Sequence, residues 1–354
     1  MSTLPDKSRP SILIVLIAGI GDMVLGSAGI RAVRNGYPDA EIHLLTSTEA
    51  SSLAVNYPYI DYVHAFPIRE LRKDKKYLFD IVKIIRDLGR TKFDLVLNLY
   101  RVGSLSGAVK MGLLFSMFKA KAKLGHDKYG FGLFLTKKVP AATFEGRHVV
   151  DAMMEIASRA GGIPDDKGIE VFWSPKITAK WDTFFAQTEG QNLVGINPGG
   201  DRENRRWAPD CFAAVTEEII KRFDARVVLL GGPAERNTAA FIESRIHADV
   251  SNLAGKTSVN ELPYLISRFD LLITNDSGPM HIAAATKTPI AAIFGPEDPK
   301  LFGPYTTPDL YRIVYKPMHC RPCDKKNCKS PICLDQITPD DVLAACNELL
   351  QSKS

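Results

Sequence analysis

Residues 269–296, FDLLITNDSGPMHIAAATKTPIAAIFGP, place a polar turn between two short apolar segments. The segments 270–274 and 289–294 are apolar on both faces, as parallel strands covered by helices must be. Between them, Asn275-Asp276-Ser277-Gly278-Pro279 predicts a turn into a helix, because the first helical turn has no use for the N–H that proline lacks. The stretch therefore predicts a β-α-β unit. Its free helix amides attract phosphate, and an ordinary turn without a ligand is the alternative.

The same alternation of strands and helices runs through the rest of the chain. In the first half, the predicted strands are 12–17, 41–46, 62–66 and 93–99, and the predicted helices follow Asp22 and cover 77–88 and 104–118. In the second half, the predicted strands are 193–197, 226–230, 270–274 and 289–294, and the predicted helices are 209–222, 234–246 and 258–268. Periodicity is blurred between 174 and 192. The pattern predicts an α/β fold of two facing, doubly wound Rossmann-like domains: residues 1–175, a connection at 176–192, and residues 193–354.

Charge is distributed unevenly between these halves. Residues 1–180 contain 26 Lys and Arg against 18 Asp and Glu, a net charge of +8, whereas the remaining residues carry −3. Such a basic half favours an anionic partner such as a phosphorylated lipid, a membrane surface or nucleic acid, and a merely solvated face is the alternative. No aromatic-rich RNA-binding signature accompanies the lysines, so we expect no nucleic acid partner.

The apolar stretch 11–30 raises the question of a signal peptide or membrane anchor. Asp22 interrupts it, glycines at 19, 21, 26 and 29 weaken a spanning helix, and the pattern divides into a short strand and an amphipathic helix. We therefore expect a cytoplasmic protein.

The first loop, Gly19-Ile20-Gly21-Asp22, resembles half of a dinucleotide-binding fingerprint. The third glycine would fall at Val24, and the second strand ends in Leu45-Thr46-Ser47 without the acid that holds a ribose, so this interpretation fails. Asp22 instead has two open roles. It caps the helix, or it acts as a general base that accepts a hydroxyl proton while that oxygen attacks a sugar carbon.

Three loops of the second half carry residues suited to a phosphorylated ligand. Asn197-Pro198-Gly199-Gly200-Asp201 leads into Arg202, Arg205 and Arg206, and arginines bind phosphate oxygens in bidentate fashion. Gly231-Gly232 is followed by Glu235, which could accept sugar or ribose hydroxyls, and 253–258 includes Thr257. The alternatives are a surface loop whose Trp207 packs on its helix and an ordinary helix cap at Ser258.

In this order, the motifs resemble those of the family nine glycosyltransferases, the heptosyltransferases of lipopolysaccharide assembly. The resemblance rests on Gly21-Asp22, Asn197-Pro198-Gly199 leading to Arg205-Arg206-Trp207, Gly231-Gly232 with Glu235, 253–257, and 275–281. It implies a GT-B fold and an inverting transfer of heptose from ADP-heptose to an inner-core lipopolysaccharide acceptor, without a metal cofactor. It also implies a peripheral position on the inner membrane. Transfer of another sugar, for example from a UDP-sugar, a sugar-nucleotide epimerase and a non-catalytic sensor stay open as alternatives.

The resemblance also implies residue roles. Asp22 matches the catalytic aspartate, Arg205 takes the place of the family's usual lysine at the donor phosphates, and Asp276 matches a donor ligand. The full predicted donor-binding set is Asn197, Gly199, Gly200, Asp201, Arg205, Arg206, Glu235, Thr257, Asp276, Ser277, Gly278, Pro279, Met280 and His281.

A cysteine cluster near the carboxyl terminus stands apart from these motifs. Cys320, Cys323, Cys328 and Cys333 fall within the Cys-rich segment 319–333. Four thiolates can close a tetrahedral zinc or iron site, and a cytoplasmic setting favours metal over disulfides. A structural metal ion and free or paired thiols are the two alternatives.

Overall fold

The computed structural model describes residues 9–140, 145–186, 190–323, 328 and 332–351. The chain divides into two compact units, Met1–Glu170 and Val171–Ser354. Each unit contains its own six-stranded sheet, and every strand pair in both sheets is parallel. The predicted α/β class with two doubly wound sheets is confirmed.

The first unit alternates strands and helices. Its strands are β1 (Ser11–Leu16), β2 (Glu41–Ser47), β3 (Tyr62–Phe66), β4 (Lys92–Asn98), β5 (Lys119–Asp127) and β6 (Lys137–Pro140). Its helices are α1 (Ile20–Gly36), α2 (Thr48–Ala54), α3 (Ile68–Leu71), α4 (Tyr77–Arg90), α5 (Leu105–Ser116) and α6 (Val149–Arg159). The strand order is β3-β2-β1-β4-β5-β6, so the apolar strands β1 and β4 lie in the centre, where helices cover both faces.

The second unit repeats this plan. Its strands are β7 (Leu193–Asn197), β8 (Arg226–Leu229), β9 (Val250–Asn252), β10 (Leu271–Asn275), β11 (Ile290–Ile293) and β12 (Tyr311–Val314). Its helices are α7 (Pro175–Ala186), α8 (Pro209–Phe223), α9 (Arg236–Ser244), α10 (Leu262–Ser267), α11 (Gly278–Thr286), α12 (Pro299–Phe302), α13 (Ile332–Asp335) and α14 (Pro339–Gln351). The strand order β12-β11-β10-β7-β8-β9 places the fully buried β7 and β10 side by side.

Two segments differ from the sequence-based expectation. The predicted connection at 176–192 contains helix α7, whose Ile177, Trp181 and Phe185 recur every fourth residue and are buried. Strand β5 begins with Lys-Ala-Lys-Ala-Lys, where the exposed charges of a sheet surface hide the strand from a search for apolar runs.

The stretch 11–30 forms strand β1 and most of helix α1, as predicted. No helix in the described part of the chain has both the length and the apolar character needed to cross a bilayer.

Candidate functional site

The polar residues of the second unit follow strands whose carboxyl ends lie along one edge of the sheet. Strands β7 and β10 end at Asn197 and Asn275, and they are neighbours at the point where the chain reverses the direction in which it adds strands. Ligands of doubly wound sheets bind outside the carboxyl ends of the strands at this switch point. The two asparagines therefore lie where a ligand site is expected.

These two asparagines fix the loops around them. The Nδ2 of Asn197 donates to the Oγ of Ser277 over 3.1 Å, and the Nδ2 of Asn275 donates to the carbonyl oxygen of Gly199 over 3.2 Å. The Oδ1 of Asn275 accepts the backbone N–H of Trp207 over 3.1 Å. Both amides are buried, so these bonds form away from competing water. The loop after β7 and the turn after β10 are thus held as one rigid edge.

Helix α11 begins at this edge. Ser277 is its N-cap residue, but the Ser277 side chain accepts no hydrogen bond from the helix amides and instead accepts one from Asn197. Pro279 occupies the first turn of the helix, and the side chains of Met280 and His281, which follow it, are buried. A helix N-terminus whose amides lack this side-chain cap favours a phosphate, through both the N–H groups and the helix dipole.

Arg205 lies beside this helix terminus, between two carboxylates. Its Nη1 is 3.5 Å from the Oδ2 of Asp276, and its Nη2 donates to the Oε1 of Glu297. Arg202 also donates to the Oε1 of Glu297, over 3.3 Å. Asp276 is buried, whereas a fifth of the Arg205 side chain remains accessible. The guanidinium is therefore held in place by carboxylates, while part of the Arg205 side chain remains accessible.

Glu297 was not among the predicted site residues. It follows the loop Phe294-Gly295-Pro296 after β11, and this loop lies on the sheet edge that the sequence had already indicated. The cysteine-rich segment supports the loop, because the N–H of Cys323 donates to Pro296 over 3.0 Å and the Nη2 of Arg321 donates to Phe294 over 3.0 Å. A carboxylate after a glycine-bearing loop was the signal available from the sequence.

A second arginine joins the loops after β7 and β8. The Nε of Arg206 donates to the carbonyl oxygen of Gly200 over 2.8 Å, and its Nη2 is 3.8 Å from the Oε1 of Glu235. The Oε2 of Glu235 accepts the N–H of Gly232 over 2.9 Å. A Cβ on Gly199 would lie 3.0 Å from the Cγ of Glu235, so the close approach of these loops favours glycine there. Glu235 thus has a structural role in addition to the binding role predicted for it.

Asp201 and Thr257, two further predicted donor-binding residues, lie away from the start of α11 and take part in none of the hydrogen bonds described above. Asp201 is exposed in the turn before the 3₁₀ helix Glu203–Arg205, and Thr257 is half-buried in the loop after β9. Their contact with a ligand stays a prediction.

Asp22 lies in the first unit, just after central strand β1. Gly19 is the N-cap residue of α1 and Asp22 lies in its first turn, so Asp22 is not the N-cap residue itself, and its role as a base stays a prediction. The positive end of the helix dipole favours an ionised carboxylate at this position. A Cβ on Gly19 would lie 3.7 Å from the Nη2 of Arg69, which places a guanidinium beside this loop. Arg69 in turn donates to Glu49 over 2.8 Å.

The described cysteines of this segment range from the exposed Cys320 to the buried Cys333. Within the described residues, no three His, Cys, Asp or Glu side chains are grouped in a way that could hold a metal ion. Part of the cluster, at 324–327 and 329–331, lies outside the described residues. The metal ion stays an alternative from the sequence.

Comparison with known proteins adds a family to this geometry. A family model described as glycosyltransferase family 9 (heptosyltransferase) matches residues 81–333. Lipopolysaccharide heptosyltransferase 3 of Escherichia coli is 26% identical over 347 residues, which cover 94% of this chain and 97% of that protein.

Solved structures show the same architecture. The crystal structure of a family 9 glycosyl transferase from Veillonella parvula gives a TM-score of 0.79 at 22% identity and covers 97% of both chains. Escherichia coli heptosyltransferase WaaC with ADP-2-deoxy-2-fluoro heptose gives a TM-score of 0.71 at 16% identity, covering 97% of this chain and 100% of that one. These likenesses confirm the predicted GT-B fold.

Proposed function

The chain belongs to glycosyltransferase family 9, the heptosyltransferase family, and we propose that it transfers heptose from ADP-heptose to an inner-core lipopolysaccharide acceptor. The transfer inverts the sugar carbon and requires no metal cofactor. The Escherichia coli relative is named for heptose transfer to lipopolysaccharide, and WaaC was solved with an ADP-linked heptose analogue. The first name supports a lipopolysaccharide acceptor, and the second supports an ADP-heptose donor.

The observation that carries this proposal is the arginine and helix terminus at the switch point of the second sheet. The partly accessible side chain of Arg205 lies beside the start of α11, and the buried amides of Asn197 and Asn275 hold the loops around it. A nucleoside diphosphate needs such an arrangement, because its oxygens accept hydrogen bonds from both guanidinium and backbone N–H groups. We assign the donor diphosphate to this edge, with Asp276 and His281 next to it.

In the chemical step, the Asp22 carboxylate accepts the proton of the acceptor hydroxyl. That oxygen forms a bond to the anomeric carbon of heptose, while the bond from this carbon to the β-phosphate oxygen breaks and ADP leaves with the electron pair. Attack on the face opposite the leaving group inverts the carbon. Arg205 and the amides of α11 stabilise the negative charge that gathers on ADP, which lowers the barrier because this charge grows in the transition state.

The acceptor half of the proposal rests on charge. A lipopolysaccharide core carries phosphates and carboxylates, and the first 180 residues have a net charge of +8. An acceptor anchored in the inner membrane also requires the enzyme to work at the cytoplasmic face of that membrane. We therefore propose a cytoplasmic enzyme with peripheral membrane contact and no nucleic acid partner.

Thermal unfolding with a panel of nucleotide sugars tests the donor. We expect ADP-heptose to raise the melting temperature more than UDP-glucose or GDP-mannose, since a ligand that binds only the folded state stabilises it by mass action. Radiolabelled heptose should then appear in a lipopolysaccharide acceptor that lacks it. A larger shift with a UDP-sugar, or no transfer from ADP-heptose, would contradict the proposed donor.

A further inference from the structure

Helix α5 exposes a stripe of large apolar side chains on its solvent side. Leu105, Val109, Leu113 and Met117 recur every fourth residue along and just beyond the helix, and between 48% and 69% of each is exposed. The opposite side of α5, including Phe115, packs into the core of the first unit. A helix that is apolar on both sides is normally buried, so a surface helix of this kind indicates that something covers it.

Helix α4 also exposes large apolar side chains. Leu78, Phe79 and Val82 are exposed, although Ile81 of the same helix packs in the core cluster that also holds the inner side of α5. The two helices therefore cover the same face of the first sheet. They also touch, because a Cβ on Gly89 would lie 2.9 Å from the carbonyl oxygen of Met117. We call these exposed side chains of α4 and α5, Leu78 to Val82 and Leu105 to Met117, the α4–α5 patch.

The region around the patch is strongly basic. Residues 69–138 contain 17 Lys and Arg but only six Asp and Glu, and α5 itself contains no acidic residue. Exposed lysines and arginines lie on the same helices as the apolar side chains, including Lys83 and Arg86 on α4 and Lys110 on α5. Apolar surface beside concentrated positive charge is typical of helices that lie in the headgroup region of an anionic bilayer.

Charge also decides between a bilayer and a second copy of the chain. A twofold dimer through the α4–α5 patch would bring two strongly basic surfaces together, and like charges in an interface are unfavourable. A bilayer containing anionic lipid offers an apolar layer for the side chains and negative headgroups for the lysines and arginines. We propose that the α4–α5 patch docks the enzyme on the surface of a bilayer that contains anionic phospholipid. The docking rests on the proposed function in one respect, since an acceptor anchored in the membrane explains why the enzyme would bind a bilayer.

Vesicle co-sedimentation of the full chain tests the docking. Wild-type protein should bind vesicles of phosphatidylglycerol and phosphatidylethanolamine, bind vesicles of phosphatidylcholine alone much more weakly, and dissociate as salt rises. The double variant Val109→Ser/Leu113→Ser should bind the anionic vesicles about tenfold more weakly or worse, because it removes apolar groups that would enter the acyl boundary. Val55→Ser/Ile163→Ser is the matched control, since both residues are exposed in the first unit outside the patch.

Thermal unfolding of both double variants should match that of the wild type. Phe79→Ser tests the part of the patch on α4, and it should also weaken binding to the anionic vesicles. Equal vesicle binding by the wild type and Val109→Ser/Leu113→Ser would overturn the docking. So would a wild-type dimer, seen by light scattering, that this variant abolishes. Transfer to a water-soluble acceptor fragment without vesicles separates this outcome from the proposed function. The patch variant should retain that transfer, whereas vesicle binding by a wild type that transfers no heptose would overturn the proposed function alone.

Discussion

The two units share one sheet topology but differ in the side chains that follow its first central strand. The first sheet runs β3-β2-β1-β4-β5-β6, and the second runs β9-β8-β7-β10-β11-β12 when read in the same direction. In the first unit, the central strand β1 leads to Asp22 in the opening turn of α1. In the second unit, the central strands end in Asn197 and Asn275, which bind neighbouring loops. One backbone plan thus carries the proposed base in one unit and the proposed anion site in the other.

The surfaces of the units differ as well. Of the 14 large apolar side chains that stand out as exposed among the described residues, 13 belong to the first unit and only Ile332 to the second. In the second unit, arginines at the ligand edge are paired with carboxylates, as in Arg205 with Glu297 and Arg206 with Glu235. The difference shows that the sheet specifies where a site forms, whereas side chains decide which partner it takes.

The largest expected effect concerns Asp22. Asp22→Asn keeps the shape of the side chain but removes its capacity to accept a proton, so we expect kcat to fall about 10³-fold, within the usual range for loss of a general base. ADP affinity should stay unchanged, because the proposed diphosphate site lies wholly in the second unit. Heptose transfer rates and calorimetric titration with ADP measure the two quantities.

Asp39→Asn is the control for this substitution, since Asp39 is exposed in the turn that follows the other end of α1. It should leave both quantities unchanged. A near-normal kcat for Asp22→Asn, or a large loss of ADP affinity, would contradict the assignment of the base to the first unit and of the diphosphate site to the second.

The next effect concerns Arg205. Arg205→Ala should lower kcat/KM about 10²-fold or more, because a guanidinium that meets charge growing on the leaving diphosphate is lost. Arg205→Lys should lose less, since it keeps the charge but not the forked geometry. Arg222→Ala is the matched control, because Arg222 is an exposed arginine that pairs with Glu218 on α8. Equal activity of Arg205→Ala and Arg222→Ala would contradict the proposed position of the diphosphate at this edge.

Sequence patterns predicted the apolar strands of both units well, but they missed the charged strand β5 and the short edge strands β6, β9 and β12. Strands β3 and β7 have the predicted bounds, because short apolar runs between turns have few other structures open to them. Strand β5 was missed, since its alternating lysines resemble a solvated surface segment. An apolar run between turns indicates a strand by itself, whereas a charged or very short strand depends on neighbours that the local sequence does not reveal.

The candidate site divides in the same way. Glycine turns and polar residues after strands indicate the proposed ligand edge, because parallel strands bring such turns together. The pairing of Arg205 with Glu297 joins residues 92 positions apart and leaves no local pattern. The exposed stripe on α5 likewise leaves no local signal, because the periodicity of a helix apolar on both sides does not say which side faces solvent.

Acid stability offers a smaller effect that can be followed in the second unit alone. Burial by itself raises the pKa of Glu261, but hydrogen bonds from Lys180, Ser258 and Trp181 outweigh it and lower the pKa to about 2. A depressed carboxyl pKa stabilises the fold above the unfolded value near 4.5, and this stability is lost as pH falls towards 2. We expect about 3 kcal/mol of the free energy of unfolding to disappear over that range in the wild type, and Glu261→Gln to flatten the loss.

Urea unfolding followed by tryptophan fluorescence measures this effect, because Trp173, Trp181 and Trp207 all lie in the second unit. The first unit supplies the comparison. Hydrogen bonds from Arg31 lower the pKa of Asp165 to about 2, but this carboxylate is not in the unit that the tryptophans report. Asp165→Asn should therefore leave the fluorescence curve unchanged. If it flattens the curve as Glu261→Gln does, the two units unfold together and their stabilities are not independent.

The smallest effect concerns Glu297, which shares Arg205 with the proposed diphosphate. Glu297→Gln keeps a hydrogen-bond acceptor but removes a negative charge near the site, so ADP should bind several-fold more tightly through reduced repulsion. The looser hold on Arg205 should at the same time lower kcat several-fold, because a catalytic charge contributes most when its position is fixed in advance. Steady-state kinetics should then show KM and kcat falling together. A variant that binds ADP more weakly would instead make Glu297 a support for donor binding rather than a competitor for its arginine.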